Sequence, residues 1–112
     1  MIVNELGLPG LKLITMKPHG DARGFFVERF HRDRFRELGI PADEFMQDNY
    51  SRSAMNVLRG LHYQYDRPQG KLVTATAGRI FDVVVDIRKD SSTFGKSVGV
   101  DVTFRESEPD LL

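Results

Sequence analysis

The stretch that decides the fold is residues 79–88, which read Arg79-Ile80-Phe81-Asp82-Val83-Val84-Val85-Asp86-Ile87-Arg88. Side chains alternate in character along it, which indicates a β-strand whose successive residues point to opposite sides. One face is apolar and consists of Phe81, Val83, Val85 and Ile87. The other face carries Asp82 and Asp86. A turn is predicted at 90–92, and a second strand at 97–104.

The rest of the chain has mostly the same period. Further strands are predicted at 11–14, 24–30, 45–51, 58–65 and 71–77. One short helix is predicted at 34–38, with Asp33 as its N-cap and Gly39 as its C-terminal stop. Short strands separated by Gly and Pro turns predict an all-β fold, a sandwich, jelly roll or small barrel, in one domain spanning 1–112.

The last residues predict a polar turn at 106–110 and the start of another strand at Leu111-Leu112. An antiparallel barrel opened at this point would present an edge whose backbone groups lack partners. We therefore expect either a partner that supplies further strands or a fragment of a longer protein.

Composition excludes several classes of function. Sixteen basic residues balance sixteen acidic ones, so no overall field favours nucleic acid or an anionic membrane. The chain has no cysteine, which excludes disulfides and thiolate metal sites and fits a reducing compartment. Residues 1–10 lack the features of a signal peptide, and no apolar run is long enough to span a bilayer. A soluble, cytoplasmic protein without nucleic-acid or membrane partners is predicted.

Three polar segments could carry chemistry: 21–28, 47–51, and 58–64 with its continuation at 69–73. Each also has an ordinary structural interpretation. The first fits a turn followed by a surface strand, and the second an exposed edge strand. In the third, His62 fits a half-buried strand histidine and Lys71 a surface ammonium. Taken singly, none of the segments indicates a function.

Taken together, the segments resemble the RmlC family of cupin-like jelly-roll proteins, the dTDP-4-dehydrorhamnose 3,5-epimerases, from about Leu8 to Val100. The runs that match in order and spacing are Asp21-x-Arg23-Gly24-x-Phe26-x-Glu28, Gln47-Asp48-Asn49-x-Ser51, Leu58-Arg59-Gly60-Leu61-His62-Tyr63-Gln64, Gln69-Gly70-Lys71-Leu72-Val73 and Phe81-Asp82-Val83-x-Val85-Asp86-Ile87-Arg88, followed by Thr93-Phe94-Gly95.

The resemblance implies an isomerase acting on a 4-keto-6-deoxyhexose carried on thymidine diphosphate. Hydrogens on C3 and C5 flank the C4 ketone, so removing either as a proton gives an enolate. His62 matches the family's base, and imidazole suits proton transfer near neutral pH. Lys71 matches the cationic residue near the carbonyl, where its charge would stabilise the oxyanion. We expect the ring of His62 to face a cavity near Lys71.

The resemblance also assigns the residues that bind the nucleotide. Arg23 and Arg59 match positions that hold the diphosphate, for which guanidinium forks are suited. Glu28, Gln47 and Asn49 match nucleotide-binding positions, and Phe26 could stack on the thymine. Family members form homodimers in which the neighbouring subunit completes part of the nucleotide site.

Strand parity checks part of this assignment. Regular alternation would put His62 on one face of its strand and Arg59 on the other. Gly60 could mark a bulge or strand start that re-aims Arg59. Asp82, on the polar face of its strand, could either orient Lys71 or form a surface salt bridge.

No cofactor and no catalytic metal is predicted. Metal-binding cupins carry a closely spaced His pair followed by Glu. The corresponding stretch here is His62-Tyr63-Gln64, and the other two histidines, His19 and His31, lie far back in the chain.

Members of the family continue well past Leu112. The resemblance places their tyrosine proton donor and the acidic residue that orients the histidine in that further part, which leaves the chain alone without either. The alternatives that stay open are an epimerase, a truncated inactive homologue that binds nucleotide sugar, and a structural β-domain that dimerises through its open edge.

Overall fold

The computed structural model describes residues 1–104 and, for their backbone pairing, 110–111. The chain forms two compact units. Unit 1 comprises residues 1–30 and 72–112, and unit 2 comprises residues 31–71. The described residues are mostly strands with one short α-helix. Whether the chain counts as one domain, as the sequence predicts, stays a prediction.

Unit 1 contains antiparallel strand pairs arranged in three small sheets. The strands are β1 (Ile2–Glu5), β2 (Lys12–Thr15), β3 (His19–Asp21), β4 (Gly24–Phe26), β5 (Arg79–Val85), β6 (Ser97–Thr103) and β7 (Asp110–Leu111). The first sheet has the order β1-β2-β7, while β3 pairs with β4 and β5 with β6. β1 was not predicted from the sequence. Leu111 was correctly predicted to lie in a strand, but the strand begins at Asp110, which had been assigned to the turn; 105–109 and Leu112 lie outside the described residues.

The pairing of β5 with β6 confirms the strand predicted from residues 79–88, although the strand itself ends at Val85. The register runs from Arg79 opposite Thr103 to Val85 opposite Ser97. Alternation holds, but the predicted apolar face is the more exposed one. Phe81 is 67% exposed, and its ring lies so close to Gly99 that a β-carbon there would approach it to 2.4 Å.

The core of unit 1 lies against the other residues of this pair. Ala75 and Val102 are buried, and half-buried apolar side chains from several segments pack against them: Leu6, Leu13, Val73, Val100 and Phe104. Leu8, Ile14 and Met16 are buried as well. The β1–β2 and β5–β6 pairs therefore each keep an apolar side chain, Ile14 and Val102, out of water, which is the main stabilising contribution in a small β-unit.

Directly after β5, the carboxylate of Asp86 holds the connection to β6. Its side chain is 1% exposed. Arg88 donates to it from the backbone at 3.0 Å and from Nε and Nη2 at 2.9 Å each. Ser91 Oγ and Thr93 Oγ1 each donate at 2.6 Å. These bonds, from Arg88 first and then from the two hydroxyls, hold the pKa of Asp86 far below its ordinary 3.8.

Unit 2 begins with the helix. α1 (Arg32–Glu37) is followed by a 3-10 turn at Ala42–Glu44. Phe35 is fully buried, and Arg36 donates hydrogen bonds to Asp33 and to Asp43, which joins the helix to the turn. Asp33 was wrongly predicted as the N-cap. His31 holds that position, because its Nδ1 accepts the backbone N–H of Arg34 at 3.4 Å. Gly39, at φ +73°, ends the helix as predicted.

The strands predicted at 45–51, 58–65 and 71–77 are wrong for the described structure. From Met46 to Val73 no residue lies in a helix or strand, and only Thr74 forms an isolated bridge. The physical reason is that alternation shows which residues can form a strand, whereas a strand also needs a partner with free backbone groups. In the described ranges, no strand pairs with residues 46–73.

Asp86→Asn should lower the melting temperature by more than about 5 °C, because an amide cannot accept all the bonds that the buried carboxylate accepts. The folded-state pKa of Asp86 is lowered, so its stabilisation is present above the unfolded value and is lost as pH falls below it. Thermal unfolding between pH 3 and pH 7 should therefore depend less steeply on pH in the variant.

Asp101→Asn is the matched control for that measurement. The carboxylate of Asp101 also accepts two hydrogen bonds from one guanidinium, that of Arg79, at 2.8 Å each. Both of these side chains are exposed, however. Exposed ion pairs contribute little, so this variant should melt close to the unmodified chain. Equal effects of the two substitutions would contradict a special role for Asp86.

Candidate functional site

The predicted site residues are divided between the two units. Arg23, Phe26 and Glu28 belong to unit 1. Gln47, Asn49, Arg59, His62 and Lys71 belong to unit 2.

Arg23 lies at the tip of the β3–β4 hairpin. Asp21 pairs with Gly24, so Ala22 and Arg23 form a two-residue connection. Asp at the first position and Gly at the last are preferred in a type I turn, and Gly24 has φ +127°, which a residue with a β-carbon rarely adopts. The turn presents the Arg23 side chain to solvent, where it is 91% exposed.

The guanidinium of Arg23 is bound by Asp21. Its Nε donates to both carboxylate oxygens at 3.2 and 3.1 Å, and its Nη2 donates at 2.6 Å. The backbone N–H of Arg23 donates to the same carboxylate at 2.8 Å. These bonds lower the pKa of Asp21 and raise that of Arg23, with the side-chain bonds as the main cause in both.

The two phenylalanines of β4 point to opposite sides. The ring of Phe25 packs against Phe104, with centroids 5.7 Å apart. Phe26, opposite His19 in the register, is 71% exposed. An aromatic face open to solvent suits stacking of a base. Glu28 follows the end of β4 and is half-buried.

Gln47 and Asn49 come together in unit 2. The side-chain amide of Gln47 donates to the carboxamide oxygen of Asn49 at 3.0 Å. Residues two apart share a side in an extended segment, so this contact agrees with the spacing of the motif. The carbonyl oxygen of Gln47 and the amino group of Asn49 are left to accept and donate hydrogen bonds outward.

Arg59 precedes the glycine that was expected to re-aim it. Gly60 has φ +116°, so regular strand alternation does not apply between Arg59 and His62. The parity objection to a shared ligand is thereby removed. Arg59 is exposed and forms no ion pair with another described residue of unit 2.

His62 and Lys71 are both exposed. Within unit 2, as far as the structure describes it, neither forms a hydrogen bond or an ion pair, so imidazole and ammonium are available to a ligand. Two shallow depressions, of about 300 and 360 Å³, are lined by residues of unit 1 and share Pro9 and Arg88. Neither contains a predicted site residue. The roles of His62 and Lys71 stay predictions.

Asp82 is half-buried on the face of β5 that also carries Val84. It forms no ion pair within the described part of unit 1, so its proposed pairing with Lys71 also stays a prediction. In the described ranges, no three His, Cys, Asp or Glu side chains gather as a metal-binding group, and the expectation of no catalytic metal stays a prediction. No helix in those ranges is long and apolar enough to cross a membrane.

Sequence reasoning missed two acidic residues that hold arginines in this chain. Asp21 was quoted as part of a motif without a role, and Asp86 was assigned only to a polar face. The available signal was spacing, because each Asp stands two residues before an arginine, Arg23 and Arg88. A carboxylate at that separation can accept both the backbone and the side chain of the arginine.

Comparison with known proteins identifies the relationship. The family described as dTDP-4-dehydrorhamnose 3,5-epimerase matches residues 5–109. The enzyme of that name from Salmonella typhimurium is 48% identical over 104 residues, which are 92% of this chain and 57% of the relative. The Escherichia coli enzyme of that name is 57% identical over 90 residues, 79% of this chain and 48% of the relative.

Solved structures agree with the sequences. RmlC from Legionella pneumophila, described in complex with dTDP-4-keto-L-rhamnose, has a TM-score of 0.89 and 48% identity, covering 99% of this chain and 59% of that chain. The Bacillus anthracis enzyme with TDP and PPi bound has a TM-score of 0.89 and 36% identity, covering 99% and 64%.

These similarities first define the class, a cupin-like jelly-roll protein, as the sequence predicted. The chain belongs to the dTDP-4-dehydrorhamnose 3,5-epimerase family. It spans about half of the length of the curated relatives that it matches.

Gly60→Ala should strain the backbone between Arg59 and His62 by about 1–3 kcal/mol, because a β-carbon disfavours φ near +116°. The added methyl group itself would only reach ordinary contact distance from the backbone of His62. We expect altered backbone NMR shifts at Arg59 and His62 and weaker binding of dTDP.

Gly70→Ala is the control, because Gly70 is equally exposed, lacks a positive φ and has open space around it. The free energy of unfolding of this variant should stay within about 0.5 kcal/mol of that of the unmodified chain. Indistinguishable behaviour of the two alanine variants would contradict a conformational requirement at Gly60.

Proposed function

We propose that this chain carries the base and the nucleotide-binding residues of an epimerase that acts on a dTDP-linked 4-keto-6-deoxyhexose at C3 and C5. The observation that carries the proposal is the co-occurrence of His62, Lys71 and both arginines in their motifs, in a chain about 50% identical to enzymes named for this reaction. The pathway proposed is the biosynthesis of deoxysugars such as rhamnose.

The reaction begins with a carbon acid. A proton on C3 or C5 is acidic because its electron pair can move toward C4 and place the charge on the ketone oxygen. His62 takes this proton, and an imidazole is the side chain suited to do so near neutral pH. Exposure of its ring within unit 2 leaves it accessible to a sugar. Inversion follows when a proton returns from the opposite face of the sugar.

Lys71 stabilises the enolate. Its ammonium carries no ion pair within the described part of unit 2, so its charge is available to the developing oxyanion. A fixed cation near such an oxygen typically stabilises the transition state, in which the oxygen becomes negative, more than it stabilises the neutral ketone.

The nucleotide is held by the remaining residues. Arg23 and Arg59 bind the diphosphate, and Phe26 stacks on the thymine ring. The Gln47–Asn49 pair offers one acceptor and further donors to the nucleoside, and Glu28 adds a carboxylate. In support, the Bacillus anthracis relative is described with TDP and PPi bound, and the Legionella pneumophila relative with a dTDP-keto sugar.

The second candidate is a binding module that holds the nucleotide sugar without turning it over. By the family resemblance, the opposite-face proton donor belongs to a part of the relatives that this chain does not match. A chain with the base alone can exchange the sugar's protons with solvent, whereas efficient inversion requires the donor. Exchange and inversion therefore have to be measured separately.

The chain is incubated with the keto sugar in deuterated water. We expect deuterium to appear at C3 or C5 of the sugar, and NMR measures the rate of this uptake. His62→Asn should reduce the rate of uptake at least about 100-fold, because general-base catalysis is lost. Lys71→Ala should reduce it by about 10²- to 10³-fold through loss of oxyanion stabilisation. Deuterium uptake that persists in His62→Asn would remove His62 as the base.

Controls are available in the chain itself. His31→Asn replaces one N-cap by another that is favoured, and Lys89→Ala removes an exposed lysine. With either variant, the sugar should take up deuterium at the rate seen with the unmodified chain. Shifts of dTDP resonances without any uptake would favour the binding module, and neither uptake nor shifts would leave a structural β-domain.

The proposed assembly is a cytoplasmic homodimer without nucleic-acid or membrane partners. The exposed apolar side chains of β5, Phe81 and Val83, support a surface that a second protein chain covers. Sedimentation velocity at micromolar concentration should give a species of twice the 12.8 kDa chain mass. A persistent monomer would contradict this part of the proposal.

A further inference from the structure

Asp21 uses only one side of the Arg23 guanidinium. The bonds from Arg23 to the carboxylate involve Nε and one N–H of Nη2. A guanidinium has five N–H groups arranged as two forks, so the outer fork, formed by Nη1 and the second N–H of Nη2, remains free. The side chain is 91% exposed, and this outer fork therefore faces solvent at the tip of the hairpin.

The free fork has the geometry that a phosphate requires. Two parallel N–H groups bind two oxygens of one phosphate in a bidentate manner, provided that the guanidinium plane is fixed. Here the plane is fixed at its base by the carboxylate of Asp21, and the carboxylate is itself fixed by the backbone N–H of Arg23 at 2.8 Å. The two residues form a closed ring of hydrogen bonds that does not depend on any other element.

A carboxylate beside a phosphate site also has an unfavourable effect, because like charges repel. Both side chains are exposed, so solvent and salt screen this repulsion strongly. Fixing a flexible side chain before binding is worth roughly 2- to 10-fold in affinity. We therefore expect a net gain in affinity within this range, reduced by what remains of the repulsion.

We propose that Asp21 is a positioning residue that holds the guanidinium of Arg23 so that its outer fork meets the phosphates of a nucleoside diphosphate. The inference rests on the proposed function, because it takes Arg23 as a diphosphate-binding residue. It adds a residue to which the family resemblance assigns no role, and it specifies which edge of Arg23 the ligand contacts.

The test is a double-mutant cycle on the full chain with dTDP as the probe, titrated by NMR and calorimetry. Asp21→Ala should weaken dTDP binding roughly 2- to 10-fold. Adding Asp21→Ala to Arg23→Ala should weaken it no further, because no guanidinium is left to position. Asp21→Asn should recover most of the affinity, since its carboxamide oxygen can still accept from the backbone and from Nε.

A spectroscopic signature accompanies the affinities. The Nε–H resonance of Arg23 should exchange slowly with water in the unmodified chain and rapidly in Asp21→Ala, with Asp21→Asn between them. A role confined to the stability of the hairpin would instead lower the melting temperature of both single variants and of the double variant without this ordering.

Asp101→Ala is the matched control. It frees Arg79, whose Nε and Nη2 are bound by a carboxylate in the same manner at 2.8 Å, and it removes one exposed negative charge from the same unit. It should leave dTDP affinity unchanged. Weakened binding in this variant would attribute the effect of Asp21→Ala to the loss of any exposed carboxylate–arginine pair in unit 1 and overturn the inference.

Other outcomes separate the inference from the proposed function. Binding of dTDP that is unchanged or tighter in Asp21→Ala overturns the positioning role alone. A further loss when Asp21→Ala is added to Arg23→Ala also overturns it. An unmodified chain that neither binds dTDP nor exchanges the sugar's protons overturns the proposed function and this inference with it.

Discussion

Backbone hydrogen bonding between strands is the constraint on which this structure depends. A strand is held only when its N–H and C=O groups find partners, since unpaired groups away from water are costly. β5 and β6 are paired with each other along their whole length, and the pairing continues past β5, where Asp86 exchanges backbone bonds with Lys96 and Gly95. The segment from Met46 to Lys71 has strand-like alternation but no strand partner among the described residues. The two regions differ in whether they have strand partners, and not in the strand propensity of their residues.

The sequence could predict the fold wherever the information is local. Alternation at 79–85, the turn after it and the stop at Gly39 all depend on residues close together in the chain, and each is present. Choices that depend on more distant geometry could not be predicted. The N-cap is His31 and not Asp33 because the position of the first helical turn decides which side chain reaches the backbone of Arg34. Similarly, nothing in the alternation of β5 indicates which face the rest of unit 1 will bury.

For the candidate site, the sequence could predict residue identities better than their arrangement. The motifs name the residues, and the contact between Gln47 and Asn49 follows from their separation. The positive φ of Gly60 removes the parity objection that regular alternation had raised for Arg59. Whether His62 and Lys71 reach one ligand depends on long-range packing, which local pattern does not encode, and their roles stay predictions. The bond between Asp21 and Arg23 was within reach of sequence reasoning, because both residues lie in one tight turn.

The Asp86 network has a consequence for the order in which the chain folds. All of its donors come from the few residues that follow it, the last being Thr93. Closing so short a loop costs little chain entropy, and contacts of low sequence separation form early. The β5–β6 hairpin can therefore assemble before the sheet that joins β2 to β7, whose pairing must bring together opposite ends of the polypeptide. During synthesis on the ribosome, the β5–β6 hairpin can form as soon as Thr103 has emerged, whereas the pairing of β2 with β7 has to wait for Leu111.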